Sequence, residues 1–165
     1  MTAPLIGVLA LQGGFEAHER TLRRLGARTR QVRVPADLVD LDGLVMPGGE
    51  STTMTLGIER EGLAGPLREL AARGTPILGS CAGLIMLDAD HLGLMDMRAE
   101  RNAFGRQIRS FEADVEILGE LDGHAVAARQ GRMLAVSFHT ELSRDDRLHR
   151  MFLEWVGERR VPSPA

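Results

Sequence analysis

Residues 76–87 read Pro-Ile-Leu-Gly-Ser-Cys-Ala-Gly-Leu-Ile-Met-Leu, and this stretch predicts a short apolar strand, a tight turn and an amphipathic helix. The one cysteine of the sequence, Cys81, stands in the turn between Gly79 and Gly83. Gly-x-Cys-x-Gly is the spacing of a nucleophile elbow, with sulfur in place of the serine hydroxyl. Glycines at these places let two backbone segments approach closely around a strained central residue. The alternative is a buried structural cysteine, because free cysteine is among the most buried residue types.

Apolar runs alternate with helical patterns in the first half of the chain. Residues 5–11 and 43–46 are continuous apolar runs, which are typical of strands covered on both faces of a parallel sheet. Residues 27–34 predict a more polar strand towards an edge, and residues 15–25 and 66–73 predict helices. The alternation indicates an α/β fold with an open, mostly parallel, doubly wound sheet and helices on both faces.

The second half of the chain is less regular. Residues 111–118, 124–130 and 133–138 predict three further strands. Ser143 is then expected to cap the last helix, with Asp146 three residues on as a weak variant of the capping box.

The bulk composition limits the classes of function. The 165 residues suffice for a single domain over 1–165, and a net charge of −3 without a long basic run argues against nucleic acid and anionic membranes as partners. One cysteine permits no intramolecular disulfide, which suits a reducing compartment. The apolar run at residues 5–11 is too short to span a bilayer and lacks a preceding basic residue, so it is interpreted as a core strand. We therefore expect a cytoplasmic protein.

A second chemical feature follows the strand expected at residues 133–138. In an extended segment, residues two apart point the same way, so Glu141 could orient the imidazole of His139 while the other ring nitrogen faces a nucleophile. Such a pair is the base and orienting acid of a catalytic triad. Sites in open α/β folds gather at the carboxyl ends of strands, where both His139 and Cys81 are expected. On its own, a His near a Glu is more often a surface pair.

Two further segments are rich in candidate binding groups. Residues 47–53, Pro-Gly-Gly-Glu-Ser-Thr-Thr, contain two glycines that could aim backbone N–H groups at an oxyanion, although a flexible turn before a helix is an equal alternative. Residues 101–107, Arg-Asn-Ala-Phe-Gly-Arg-Gln, could clamp a carboxylate, but a solvated loop is the simpler interpretation.

The remaining histidines do not indicate a metal site. His18 lies on the apolar face of a predicted helix, and His91, His124 and His149 have no second ligand at metal spacing. We therefore interpret them as structural and expect neither a metal nor a cofactor.

Taken together, the motifs resemble those of one family. Leu-Gln-Gly at 11–13, the blocks at 47–53, 79–84 and 101–107, and Ser-Phe-His-x-Glu-Leu at 137–142 occur in this order. The chain thus resembles the glutaminase subunits of pyridoxal phosphate synthases, which are triad-type (class I) glutamine amidotransferases. The resemblance implies a flavodoxin-like fold and extends over nearly the whole chain.

This resemblance implies a chemistry and a partner. Cys81 would attack the side-chain amide of glutamine, His139 would move the protons and Glu141 would orient His139. The resulting thioester would be hydrolysed to glutamate, and the ammonia would pass to a separate synthase subunit. The family's glutamine-binding and oxyanion positions, with one neighbouring serine, fall on Gly48, Gly49, Glu50, Ser51, Ala82 and Arg101.

The sequence departs from this family in two respects. Thr140 stands where the family usually has proline. The chain also looks shorter than the family between Leu87 and Leu92 and again after residues 112–114, where relatives carry an extra strand with a glutamine contact. These losses favour one alternative, a degenerate, non-catalytic binding subunit of the same complex, whereas the presence of Cys81, His139 and Glu141 argues against it. A separate alternative is the glutaminase subunit of another biosynthetic synthase, against which the block at residues 101–107 argues.

Overall fold

A computed structural model describes residues 2–102, 105–110 and 114–161, with five α-helices and nine β-strands in these ranges. The helices are α1 (Phe15–Arg24), α2 (Ser51–Arg60), α3 (Ala64–Ala72), α4 (Ala82–Leu87) and α5 (Arg147–Arg160). The strands are β1 (Leu5–Leu9), β2 (Arg28–Val32), β3 (Gly43–Met46), β4 (Ile77–Ser80), β5 (Met97–Asn102), β6 (Gly105–Ser110), β7 (Glu116–Leu121), β8 (His124–Gln130) and β9 (Met133–Val136).

Seven strands form one sheet in the order β2-β1-β3-β4-β9-β8-β7, while β5 and β6 form a separate antiparallel hairpin. The five strands from β2 to β9 are parallel, and β8 and β7 extend the sheet in antiparallel fashion. The predicted mostly parallel α/β sheet is confirmed. The chain reverses its direction of growth across the sheet between β1 and β3, and ligands of open α/β sheets bind at such a switch point.

Helices cover the sheet on both faces. On one face, Leu22 of α1 and Phe152 and Val156 of α5 pack against strand residues such as Ile6 and Val8. On the other face, α2, α3 and α4 contribute Met54, Leu67 and Leu84 to a second buried cluster. The central strands β3 and β4 are buried along their whole length, which explains why they read as continuous apolar runs.

Two predicted boundaries in the second half were wrong. The last helix begins at Arg147, and Asp146 rather than Ser143 precedes it. Local side-chain bonds hold residues 143–146 outside the helix: Ser143 Oγ accepts from the Asp145 N–H, and the Asp145 carboxylate accepts from the Arg147 N–H. The strand expected at 111–118 begins only at Glu116, and residues 111–113 lie outside the described ranges.

None of the helices in the described ranges has the length and apolar character needed to cross a membrane. A cavity of about 730 Å³ opens at the amino-terminal edge of the sheet, between Leu41, Pro66 and Thr75. This edge is opposite the one at which the candidate catalytic residues lie.

Candidate active site

Three strands end side by side at the carboxyl edge of the sheet. Pro47 follows β3, Cys81 follows β4, and His139 lies three residues beyond β9. Because β4 pairs with both β3 and β9, the structure gathers these segments at one edge, as the sequence predicts.

Cys81 lies in a strained turn between β4 and α4. Its backbone has φ 53° and ψ −107°, a conformation that residues other than glycine rarely adopt. The Cys81 N–H donates to the Val136 carbonyl at 2.8 Å, which ties the turn to β9. A Cβ on Gly79 would lie 2.6 Å from the Gly83 carbonyl oxygen, so α4 can start this close to β4 only because residue 79 is glycine. The Cys81 side chain is half-buried, as an accessible nucleophile requires.

His139 and Glu141 form the predicted pair. His139 Nδ1 lies 2.8 Å from Glu141 Oε1, the His139 side chain is 43% exposed and that of Glu141 only 2%. The local conformation differs from the expectation, because Thr140–Leu142 is a 3-10 turn and only His139 is extended. The turn brings the two side chains together as well as an extended segment would. The second ring nitrogen of His139 is thereby left for a reaction partner.

Gly48 separates the histidine from the cysteine. A Cβ at Gly48 would lie 2.8 Å from His139 Nδ1 and 3.2 Å from Cys81 Cβ, so both side chains close on this glycine. The Gly48 carbonyl accepts from the Gly14 N–H at 3.1 Å. Next to it, Gly49 has φ 147°, where a side chain would be strained. The backbone of the Gly-Gly segment therefore lies close to the side chains of Cys81 and His139.

Glu50 and Ser51 begin α2 beside this segment. The Glu50 carboxylate accepts from the backbone N–H groups of Thr52 and Thr53 and so caps the helix. The hydrogen bonds from the Thr53 hydroxyl and from these N–H groups lower the pKa of Glu50 to about 2. The Glu50 N–H in turn donates to Gln12 Oε1 at 2.9 Å, a contact that sequence reasoning did not assign.

The last two predicted site residues lie on α4 and β5. Ala82 is the first residue of α4 and is fully buried, so only its backbone can face a ligand. Arg101 lies in β5, and its side chain falls outside what the structure describes.

Of the histidines that the sequence assigned a structural role, His18 contacts Glu141 and His149 contacts His18. His18 of α1 is fully buried, and its Nε2 lies 3.2 Å from Glu141 Oε2. Its Nδ1 lies 3.0 Å from Nε2 of His149, which is also fully buried. One feature of the sequence could have indicated the position of His18. Helix α1 follows β1, the strand from which the sheet grows in both directions, so the buried face of α1 lies next to the carboxyl edge of the sheet.

The electrostatics of Glu141 follow from these contacts. Burial would raise the pKa of the Glu141 carboxyl, but the proximity of the His18 ring and the hydrogen bond from His139 outweigh burial and lower the pKa from 4.5 to about 2. Glu141 is therefore ionised at neutral pH; it accepts a hydrogen bond from His139 and lies at ion-pair distance from the His18 ring.

Thr140 occupies the first position of the 3-10 turn. Proline fits the first position of a helical turn, because its missing N–H has no partner there in any case. The threonine is 3% exposed, and its hydroxyl has no hydrogen-bond partner among the described residues. Its presence leaves the contact between His139 and Glu141 intact.

An apolar cavity of about 610 Å³ lies on the outer side of this turn. Its wall includes Leu118, Val126, Phe138, Thr140 and Met151. Among the described residues, no group of three or more His, Cys, Asp or Glu side chains could hold a metal ion.

Comparison with known sequences gives a consistent result. The sequence model of the SNO glutamine amidotransferase family matches residues 8–119 and 112–158. The pyridoxal 5'-phosphate synthase subunit PdxT of Corynebacterium jeikeium is 45% identical, and the alignment covers 95% of this chain and 99% of that protein. The protein of the same name from Geobacillus kaustophilus is also 45% identical, over 96% of this chain and 97% of its own length.

The alignments also show that this chain is internally shorter than its relatives. The alignment with the Corynebacterium protein spans 193 positions against 165 residues here, so at least 28 positions have no residue of this chain. The two segments matched by the family model meet at residues 112–119, which is where the sequence predicts the second shortening.

Solved structures agree with the sequence comparison. One crystal structure of a glutamine amidotransferase superposes with a TM-score of 0.85 at 35% identity, covering 92% of this chain and 98% of that one. A chain in the structure of PurLQS from Thermotoga maritima, 15% identical, shares the fold with a TM-score of 0.73 over 96% of this chain and 99% of its own length. The sequence match over most of the chain shows that this protein belongs to the SNO glutamine amidotransferase family.

Proposed function

We propose that this protein hydrolyses glutamine to glutamate and ammonia through a thioester on Cys81. We further propose that the ammonia passes to a synthase subunit that makes pyridoxal phosphate. The observation that carries the proposal is the 2.8 Å contact between His139 and Glu141 at the strand edge that bears the elbow cysteine. Family membership and relatives named as pyridoxal 5'-phosphate synthase subunits support the substrate and the partner.

The first half of the reaction forms the thioester. His139 Nε2 takes the proton of the Cys81 thiol, and the sulfur attacks the side-chain amide carbon of glutamine. The Ala82 N–H and the backbone at Gly48 and Gly49 stabilise the oxyanion. His139 then donates its proton to the leaving nitrogen, the C–N bond breaks and ammonia departs.

The second half regenerates the enzyme. His139 takes a proton from water, which attacks the thioester carbon; the C–S bond breaks, glutamate forms and the sulfur regains the proton. Glu141 does not exchange a proton in either half, because its low pKa keeps it ionised; it holds His139 with the proton on Nδ1.

Substrate recognition is proposed for the surrounding polar groups. Gly48, Gly49, Glu50, Ser51 and Arg101 are the proposed glutamine contacts, with the Arg101 guanidinium suited to the substrate carboxylate. The reaction requires no metal or cofactor. A biosynthetic partnership of this kind supports a cytoplasmic location.

A second candidate is a binding subunit that docks on the synthase without turnover. The internal shortening favours it, because at least 28 aligned positions of the Corynebacterium relative have no counterpart here. The intact arrangement of Cys81, His139 and Glu141 favours catalysis.

The test is glutamate release from glutamine by the purified protein, with and without the cognate synthase subunit. We expect release with the synthase present, and Cys81→Ala should abolish it while complex formation, followed by gel filtration, stays intact. Turnover in Cys81→Ala would refute the assignment of Cys81 as the nucleophile. A complex that forms but never releases glutamate would establish the binding subunit instead.

A further inference from the structure

Glu141 has two carboxylate oxygens, and His139, the proposed base, contacts only one of them. Oε1 faces His139 Nδ1 at 2.8 Å, whereas Oε2 faces His18 Nε2 at 3.2 Å on the buried side. The same nitrogen also lies 3.2 Å from Ser80 Oγ, within hydrogen-bond distance. His18 Nε2 therefore makes its hydrogen bond with the Ser80 hydroxyl and faces the Glu141 carboxylate at ion-pair distance.

Burial makes this contact consequential. The Glu141 side chain is 2% exposed and His18 is fully buried, so Oε2 cannot be hydrated from bulk solvent. Oε2 has no hydrogen-bond partner among the described residues, so the electrostatic contact with His18 Nε2 at 3.2 Å is what compensates its burial. A buried carboxylate oxygen without this contact would be costly, and the carboxylate would then rotate or take up a proton.

A second histidine determines where the proton of His18 resides. His149 Nε2 lies 3.0 Å from His18 Nδ1, while His149 Nδ1 is buried without a hydrogen-bond partner among the described residues. A bare ring nitrogen tolerates this position better than an N–H, so the proton of neutral His149 is on Nε2 and is donated to His18 Nδ1. Burial lowers the pKa of His149 to about 4 and so keeps it neutral near pH 7.

The tautomer of His149 determines the direction of the hydrogen bonds that lead from it to Glu141. His149 donates to His18, and His18 therefore has its own proton on Nε2, pointing at Glu141 and Ser80. Glu141 faces the N–H of His18 on one side, at ion-pair distance, and accepts from His139 on the other. This leaves Nε2 of His139 without a proton, which is the form that a general base needs.

We propose that His18 is a positioning residue of the proposed glutaminase: it holds the second oxygen of Glu141, and His149 fixes its tautomer. The inference rests on the proposed function for its kinetic consequence. His18 is fully buried, so it acts through Glu141 and not on the substrate. His18 also contacts Ser80, the residue before Cys81, and so links Glu141 to the turn that contains the proposed nucleophile.

The kinetic test compares two variants of similar polarity. In His18→Gln the side-chain amide reaches the place of Nε2, whereas in His18→Asn it reaches only the place of Nδ1. With the synthase present, we expect kcat to remain within about threefold of the parent in His18→Gln and to fall about 10- to 100-fold in His18→Asn, with KM for glutamine unchanged. His91→Gln is the control: its ring is paired with Asp88 on the segment after α4, and kcat should not change. Equal kcat in the Asn variant and the parent would overturn the proposal.

A measurement on the unaltered protein is independent of how the variants fold. Two-dimensional ¹⁵N–¹H spectra of the imidazole rings report the tautomer of each histidine. We expect the proton on Nε2 in His18 and His149 and on Nδ1 in His139. A proton on Nδ1 of neutral His18 would refute the inference even if the enzyme is active. Conversely, a parent protein that releases no glutamate but shows the expected tautomers would refute the glutaminase and leave the hydrogen-bond chain standing.

Discussion

Glu141 lies between two imidazoles whose environments are opposite. The His139 side chain is 43% exposed and stands next to Cys81, whereas His18 is fully buried beneath the sheet edge. Both rings approach the same carboxylate, at 2.8 and 3.2 Å. The exposed ring can meet a substrate and exchange protons, while the buried ring can only hold its neighbour. Exposure, rather than residue type, thus separates the proposed catalytic base from the proposed positioning residue.

The largest effect is expected from Glu141→Gln, which removes the symmetry of the carboxylate. An amide has one acceptor and one donor end, so it can satisfy only one of two N–H donors. If His149 fixes His18 as a donor, the amide oxygen faces His18 and the NH₂ group faces His139, which forces the wrong tautomer. We expect kcat for glutamate release to fall by about 10³- to 10⁴-fold.

The double variant sharpens this prediction. Replacing His18 with leucine as well frees the amide to turn its oxygen towards His139. The loss caused by Glu141→Gln should therefore be smaller in the His18→Leu background than in the parent. Strict additivity of the two losses in the rate of glutamate release would speak against coupling through the carboxylate.

Gly48→Ala is expected to disturb the exposed imidazole of His139 and not the buried imidazole of His18. The new methyl group would lie 2.8 Å from His139 Nδ1, and the ring would have to move. A displacement of about 1 Å in a reacting group costs on the order of 100-fold in rate, so we expect a kcat loss of that size with little change in the thermal unfolding midpoint. Gly65→Ala in α3 is the matched control, since nothing lies within 4 Å of its Cβ and activity should be retained. A kcat equal to that of the parent in Gly48→Ala would show that the His139 ring accommodates the methyl group without losing its position.

The smallest effect is a pH dependence of stability. The folded-state pKa of Glu141 is about 2, below its ordinary 4.5, so ionised Glu141 stabilises the fold above pH 4.5 and this contribution is lost as the pH falls towards 2. The difference in free energy of unfolding between the parent and Glu141→Gln should therefore narrow between pH 5 and about pH 3. Urea unfolding at several pH values measures this difference in free energy of unfolding. A difference that does not change with pH would contradict the low pKa of Glu141.

The exposed half of the site could be predicted from the sequence because its signals are local. Gly79, Cys81 and Gly83 fall within five residues, and both glycines have a steric reason that the structure confirms. The spacing of His139 and Glu141 predicted their contact, but a 3-10 turn brings it about instead of an extended strand. Two backbone conformations satisfy one spacing, so the contact was predictable and the conformation was not.

The buried half could not be predicted in this way. His18 and Glu141 are separated by most of the chain, and a histidine on the apolar face of a helix looks the same whether it packs or holds a carboxylate. The start of the last helix was also misjudged, because Asp145 and Ser143 make local bonds that compete with a helical cap.

The central claim is that Cys81 is a nucleophile served by His139. The most direct measurement is labelling by an electrophilic glutamine analogue, such as a diazoketone, in the presence of the synthase subunit, followed by peptide mass spectrometry. Because Cys81 is the one cysteine of the sequence, its modification is unambiguous. The account predicts one label per chain, on Cys81, that excess glutamine prevents and that forms much more slowly in His139→Asn. An unlabelled Cys81, or labelling that is indifferent to glutamine and to His139, would contradict it.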